Sequence, residues 1–270
     1  MRIGARTHDL GKFSVLQLPG LLKEKEIQTA QLVMHKGLTE FKSYDTVDDV
    51  LIYEIRDSFY KAGVDIDVLG CYMDLGNPKD EVREEAIATF IRCLHYGKEI
   101  GAKVVGTETA YPHLSEEEKS TWRPYMWDSI NRLVEQAEKI GQDMAIEPVY
   151  WHPLDSFEMT AEVFRQIKSP RLKMIFDPAN VMEDTSIDQN AYYRQWLEHF
   201  GQVIEVIHMK DFVINETGNY QPVALGSGVM NYHEIVKWSK ANKPDIAVVR
   251  EELEQQHIKE DIAYMKRLWD

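Results

Sequence analysis

The chain has 270 residues, 44% of them apolar and 28% charged, and carries a formal net charge of −14 at pH 7. This is the balance of a globular protein with enough apolar residues for a sizeable core, and it excludes disorder. The negative charge opposes broad attraction to nucleic acid or an anionic membrane, and no apolar run approaches the roughly 20 residues that cross a bilayer.

Two cysteines, Cys71 and Cys93, are too few for a disulfide framework, and Met1-Arg2-Ile3-Gly4 opens a strand-like run rather than a signal peptide. The expected location is therefore cytoplasmic. The first strand falls at 3–7, followed by His8-Asp9 and a helix around 15–25 that contains Pro19-Gly20. A second strand is expected at 27–34, then a helix over 46–62 capped by Asp45 or Thr46 and closed by Gly63. After a strand at 64–70, Asn77-Pro78-Lys79 opens a helix in which Val82, Ala86, Phe90 and Leu94 form one apolar face, ended by Gly101.

Strand 103–107, helix 124–140, strand 143–147, helix 158–167, strand 172–176 and helix 187–200 follow. Strand 203–209, helix 232–240, strand 246–250 and helix 258–269 complete the series. Gly63, Gly101, Gly141 and Gly201 stand at helix ends, where left-handed backbone is expected. Strand and helix alternate eight times, which means parallel strands with crossover helices. In a chain of this length the pattern predicts a (β/α)₈ TIM barrel in a single domain, 1–270. No Gly-x-Gly-x-x-Gly follows the first strand, as an open dinucleotide-binding sheet often requires.

Four apolar runs in the second half end on a ligand-type residue: Met144-Ala145-Ile146-Glu147, Met174-Ile175-Phe176-Asp177, 203–208 ending at His208, and 246–251 ending at Glu251. In a barrel the C-terminal strand ends converge on one mouth, so these residues can meet. Three carboxylates packed together repel unless a divalent cation neutralises them. One imidazole with three carboxylates suits Mn²⁺, with Mg²⁺, Co²⁺ and Zn²⁺ also compatible. Taken singly, each residue could instead be a helix cap or a surface ion pair.

The stretches Leu69-Gly70-Cys71-Tyr72, Gly101-Ala102-Lys103-Val104-Val105-Gly106, Ala145-Ile146-Glu147-Pro148, Phe176-Asp177-Pro178-Ala179-Asn180 and Ile207-His208-Met209-Lys210-Asp211 make the resemblance specific. The chain resembles the xylose isomerase-like (β/α)₈ barrels, a family of sugar and sugar-phosphate isomerases and epimerases that also includes inosose dehydratases and endonuclease IV. The resemblance implies one divalent metal held by Glu147, Asp177, His208 and a glutamate on the last strand. Period-two alternation places Ala247, Val249 and Glu251 on one face and Arg250 and Glu252 on the other, and the face without arginine suits a barrel interior. Glu251 is therefore the expected fourth ligand.

The resemblance further implies a metal-stabilised enediolate, with Glu147 and Glu251 as acid and base on a small polyhydroxylated carbonyl substrate. A metal-dependent dehydratase of an inosose-like or keto-sugar substrate, or a barrel that binds sugar without turnover, are the alternatives. Ketose 3-epimerases of the family carry a glutamate and a histidine where this chain has Pro153 and Asn180, which makes a free-ketose 3-epimerase a poorer match. Endonuclease IV needs further zinc ligands that Cys71-Tyr72, Thr107-Glu108 and Asn180 do not supply, so nuclease activity is not expected.

Candidate substrate contacts are Glu108, His152, Asn180 and Lys210, each with a bland alternative. Lys210 could bind a carboxylate or phosphate, or form a structural ion pair with a neighbouring acid. Glu108 could belong to a capped loop, and His152 to the surface. Arg6 and His8 on the first strand have similar standing, and Gly226-Ser227-Gly228 could form a backbone anion nest or a turn. Trp122, Trp127, Tyr150 and Trp151 could stack on a sugar ring or pack in the core. Homo-oligomers are common among metabolic barrels, and a homo-oligomer is compatible with this reading.

Overall fold

The computed structural model describes residues 1–270. Ten strands run in chain order as β1 (Arg2–Arg6), β2 (Thr29–Leu32), β3 (Asp65–Gly70), β4 (Val104–Thr107), β5 (Met144–Ile146), β6 (Leu172–Phe176), β7 (Ile204–Met209), β8 (Asp211–Ile214), β9 (Tyr220–Val223) and β10 (Ala247–Arg250). Eight of them are parallel and close into a barrel in the order β1-β10-β7-β6-β5-β4-β3-β2, the expected TIM barrel. The other two, β8 and β9, form an antiparallel hairpin inserted between the last two barrel strands. That hairpin was not expected from the sequence.

The helices are α1 (Leu18–Glu24), α2 (Met34–Gly37), α3 (Asp49–Ala62), α4 (Asp80–Ile100), α5 (Glu116–Ile140), α6 (Phe157–Gln166), α7 (Gln189–Phe200), α8 (His233–Asn242) and α9 (Ile258–Trp269). Where their starts differ from expectation, local hydrogen bonding explains it. Asp48, not Asp45 or Thr46, caps α3 by accepting from Leu51 N at 3.0 Å. Ser115 and Glu118 form a reciprocal capping box that starts α5 well before Pro124. Pro124 then lies within the helix on its exposed side, where the missing N–H leaves a carbonyl that water can reach.

In α4 the buried stripe includes Arg83, Ala86, Ile87, Phe90 and Leu94, whereas Val82 is 40% exposed. A step of four residues turns the helix by about 400°, so a strict four-residue repeat drifts off the buried face. Gly63, Gly101 and Gly141 do adopt the left-handed conformation. Gly201 does not: its φ is −53°, and a Cβ there would collide with the Trp238 ring and the Leu197 carbonyl. It is required by the close approach of α8 to the end of α7.

Two apolar layers result. Between sheet and helices lie side chains such as Leu69, Phe90, Leu133, Phe176, Trp196 and Val248. Inside the barrel, Val68, Val104, Ala145, Ile175, Val206, Ala247 and Val249 pack as a separate group. Gly106 completes this inner layer, since a Cβ at that position would lie 2.7 Å from Ile175 Cδ1 and 2.8 Å from Val68 Cγ1. Gly106→Val should therefore cost about 1–3 kcal/mol through overpacking. A denaturant midpoint equal to that of the parent would contradict this packing.

Candidate metal centre

Each of four neighbouring strands contributes an apolar side chain to the inner layer and, two residues later, a polar one to the mouth: Ala145 and Glu147, Ile175 and Asp177, Val206 and His208, Val249 and Glu251. Glu147, Asp177, His208 and Glu251 are all buried, and one ligand atom from each lies within 4.8 Å of the others. Such a group could hold a divalent ion. Arg250 points to the opposite face, where its Nε donates to Asp261 Oδ2 at 2.7 Å beneath α9. Glu252, with a positive φ of 55°, turns away and accepts from the Tyr220 hydroxyl.

The cluster is tied together before any ion is considered. His208 Nδ1 lies 3.3 Å from Glu147 Oε1 and 3.4 Å from Glu251 Oε1. Lys210 Nζ lies 3.0 Å from Asp177 Oδ2 and 3.8 Å from Glu251 Oε2, and it donates to Asn180 Oδ1 at 2.7 Å. The Asn180 amide donates to Glu147 Oε1 at 2.7 Å, so it joins an acid to a cation with fixed polarity. Asp177 Oδ1 is held by the Ala179 and Asn180 backbone N–H groups. Glu147 Oε2, Asp177 Oδ2 and His208 Nε2 remain buried without a hydrogen-bond partner; the Lys210 ammonium is near Asp177 Oδ2 but outside hydrogen-bonding geometry. Unspent buried acceptors on an oxygen-rich set fit a hard or borderline divalent cation.

Burial pushes these groups toward neutrality and their neighbours pull them apart. Burial alone would depress the His208 imidazole, but the Glu251 and Glu147 carboxylates outweigh it and raise its pKa to about 9. For Glu147 burial prevails over His208 and the pKa is raised. For Glu251 burial is overcome by His208, Arg6 and Lys210, and the pKa falls below the usual carboxylate range. Glu108 is raised to about 8 by burial and by the Glu147 and Glu251 charges.

Among the expected substrate contacts, Asn180 and Lys210 lie against the cluster, as above. His152 is buried beside Glu108, with Nδ1 3.5 Å from Glu108 Oε2. Burial lowers its pKa to about 3, so the two do not form a charged pair. The acid that Lys210 meets is Asp177, not the adjacent Asp211. Asp211 instead fills the glycine loop, its Oδ2 accepting from Gly226 N and Gly228 N at 2.9 Å each and its Oδ1 from Met230 N at 3.1 Å. The anion nest exists, but its anion belongs to the chain itself. Arg6 closes β1 with Nη1 3.5 Å from Glu251 Oε1 and Nε 2.9 Å from Asp9 Oδ1, whereas His8 lies beyond the strand in a 3-10 turn.

Two neighbours of the cluster were missed. Gln31 Nε2 donates to the Tyr72 hydroxyl at 2.6 Å and to Glu251 Oε1 at 3.2 Å. A lone glutamine between Ala30 and Leu32 was the available signal. Of the aromatic group, Trp151 stacks on His113 at 4.5 Å with Tyr150 edge-on, and Trp122 and Trp127 are half-buried.

A family model described as xylose isomerase-like TIM barrel matches residues 21–268. No curated protein matches the sequence. Among solved structures, a D-tagatose 3-epimerase-like protein superposes with a TM-score of 0.78 at 17% identity, over 99% of this chain and 97% of that one. The 3-keto-D-glucoside 4-epimerase YcjR from E. coli gives 0.77 at 18%, over 99% of both chains. The IOLI protein with a bound zinc atom gives 0.73 at 16%, over 99% of this chain and 96% of that one. At these identities the structural likeness is one of fold.

The shifted groups set a pH dependence for the metal-free protein. His208, with a folded pKa of about 9, stabilises the fold fully below its unfolded value, and that contribution is lost as pH rises through about 9. Glu108, raised to about 8, acts in the same direction because the folded state holds its proton more tightly. Stability should fall as pH rises from about 7.5 to about 9.5, above the range in which the depressed His152 and His8 act in the opposite sense. Thermal melts that are level or rise over that interval would contradict these electrostatics.

Proposed function

The chain belongs to the xylose isomerase-like TIM barrel family, and from that premise we infer that it is a divalent-metal-dependent isomerase or epimerase of a small polyhydroxylated carbonyl compound. The observation that carries the reading is the buried group of Glu147, Asp177, His208 and Glu251, with ligand atoms within 4.8 Å of one another. The keto-sugar epimerase names of two structural neighbours favour a sugar as the substrate, and the zinc of a third favours an ion in such a mouth. Three oxygens and one nitrogen make Mn²⁺ our first choice, with Mg²⁺, Co²⁺ and Zn²⁺ as competitors. No helix is long and apolar enough to cross a membrane, in keeping with a cytoplasmic enzyme.

Bound there, the ion would supply Lewis-acid polarisation of a carbonyl and its neighbouring hydroxyl, lowering the cost of an enediolate. The chain's own residues supply the proton handling. Glu251, pulled below the usual carboxylate range by His208, Arg6 and Lys210 against the effect of burial, is poised as an ionised base. Glu147, on the other side of the cluster, is the partner that hands over the second proton. Asn180 steadies Glu147 and Gln31 steadies Glu251, so each carboxylate keeps one oxygen fixed. Lys210 stands beside Asp177 and Glu251 as a cation available to a developing oxyanion.

Incubating the Mn²⁺-loaded protein in D₂O with keto-sugars should place deuterium at the carbon next to the carbonyl, read by NMR. Glu251→Gln should slow that exchange by about 10²–10⁴-fold. A metal-loaded parent that exchanges no keto-sugar proton would contradict the reading. Exchange accompanied by loss of a hydroxyl would reassign the protein as a dehydratase.

A further inference from the structure

A second group of polar atoms lies at the mouth, outside the four clustered ligands. His152 is 1% exposed, yet neither of its ring nitrogens has a hydrogen-bond partner. The loop around it is otherwise well satisfied. Its own N–H donates to Val149 O, Tyr150 N donates to Asn180 O, and Tyr150 O accepts from Lys119 Nζ, at 2.8, 2.8 and 3.0 Å. Lys119 is fixed in turn by Asp155 at 3.0 Å. The loop is thus built to hold an imidazole whose polar atoms are left unused.

Glu108 stands next to it. The register that pairs Gly106 with Ala145 and Thr107 with Ile146 brings Glu108 beside Glu147 at the top of the barrel. Its Oε2 is 3.5 Å from His152 Nδ1, outside hydrogen-bonding geometry, so the two groups face one another without pairing. Burial keeps the His152 imidazole neutral, with one ring N–H and one bare ring nitrogen. A ring N–H, a bare ring nitrogen and a carboxyl oxygen together complement a group that both donates and accepts, which a hydroxyl does and a phosphate dianion does not. Filling volume needs no imidazole, and stranding two of its nitrogens costs stability.

We propose that Glu108 and His152 form a subsite that reads one hydroxyl of an uncharged polyol substrate, on the β4–β5 side of the mouth and three strands round the barrel from Lys210. The proposal rests on the isomerase reading, in which the clustered ligands receive the carbonyl end, and it assigns the substrate's far end to free hydroxyls rather than a phosphate ester.

The test uses the full-length Mn²⁺-loaded protein and four probes, D-fructose, D-psicose, D-sorbose and D-tagatose, with binding measured by calorimetry on the parent, His152→Phe and Glu108→Gln. At least one ketohexose should bind the parent, and its affinity should fall about tenfold in each variant, as for the loss of one hydrogen bond. Mn²⁺ stoichiometry should stay the same. His152→Phe should melt at or above the parent's temperature, because it removes two unpartnered buried nitrogens. A residue needed only for packing would show the reverse, a lower melting temperature with parent-like affinity. Parent-like affinity in both variants, or a parent that binds none of the four sugars, overturns the subsite. Binding that depends on both residues in a parent that exchanges no substrate proton supports the subsite and counts against the isomerase reading alone.

Discussion

Three carboxylates and an imidazole cannot be buried within 4.8 Å of one another unless positive charge compensates them. The arrangement of the mouth follows from that requirement. His208 lies between Glu147 and Glu251, Lys210 reaches Asp177 and Glu251, and Arg6 approaches Glu251 from the first strand. These cations are unevenly placed. Two of the three side chains, Arg6 and Lys210, serve Glu251 but not Glu147, and this shifts two chemically identical groups in opposite directions in the metal-free mouth. Asp9 shares the Arg6 guanidinium, accepting from its Nε at 2.9 Å.

The barrel meets the requirement through strand alternation. Inner-layer residues as small as Ala145, Gly106 and Ala247 let eight strands close tightly, and the inward positions above this layer carry the polar side chains. The outward neighbours anchor the same strands. Arg250 is locked to Asp261 of α9, whose Oδ1 also accepts from Leu225 N, so the strand bearing Glu251 is fixed from outside the barrel. The glycine loop wrapped around Asp211 does the same for the segment just after His208 and Lys210. Rigid supports on the outer side hold the clustered side chains on the inner side.

Much of this was legible in the sequence because it depends on period. Alternating elements specify a parallel barrel, and two-residue alternation separates Glu251 from Arg250 without coordinates. What was not legible depends on contacts between distant residues. Nothing local says that Gly201 is needed for the Trp238 ring rather than for its backbone angle. Lys210-Asp211 reads as one ion pair, but the two side chains diverge, one to Asp177 and the other to the Gly226–Gly228 amides. Asn180 could be identified only as a departure from related sequences, whereas the structure gives it a task, linking Glu147 to Lys210. Gln31 escaped notice because a single polar residue in an apolar strand has many ordinary explanations.

Everything at the mouth turns on whether Glu147, Asp177, His208 and Glu251 hold a divalent ion. Calorimetric titration of the metal-free protein with Mn²⁺, beside Asp177→Ala, tests it most directly. One ion per chain in the parent, with affinity lost in the variant, is the predicted result. A parent that takes up no divalent ion, or a variant that binds it as tightly as the parent, would rule out a metal centre at these four residues.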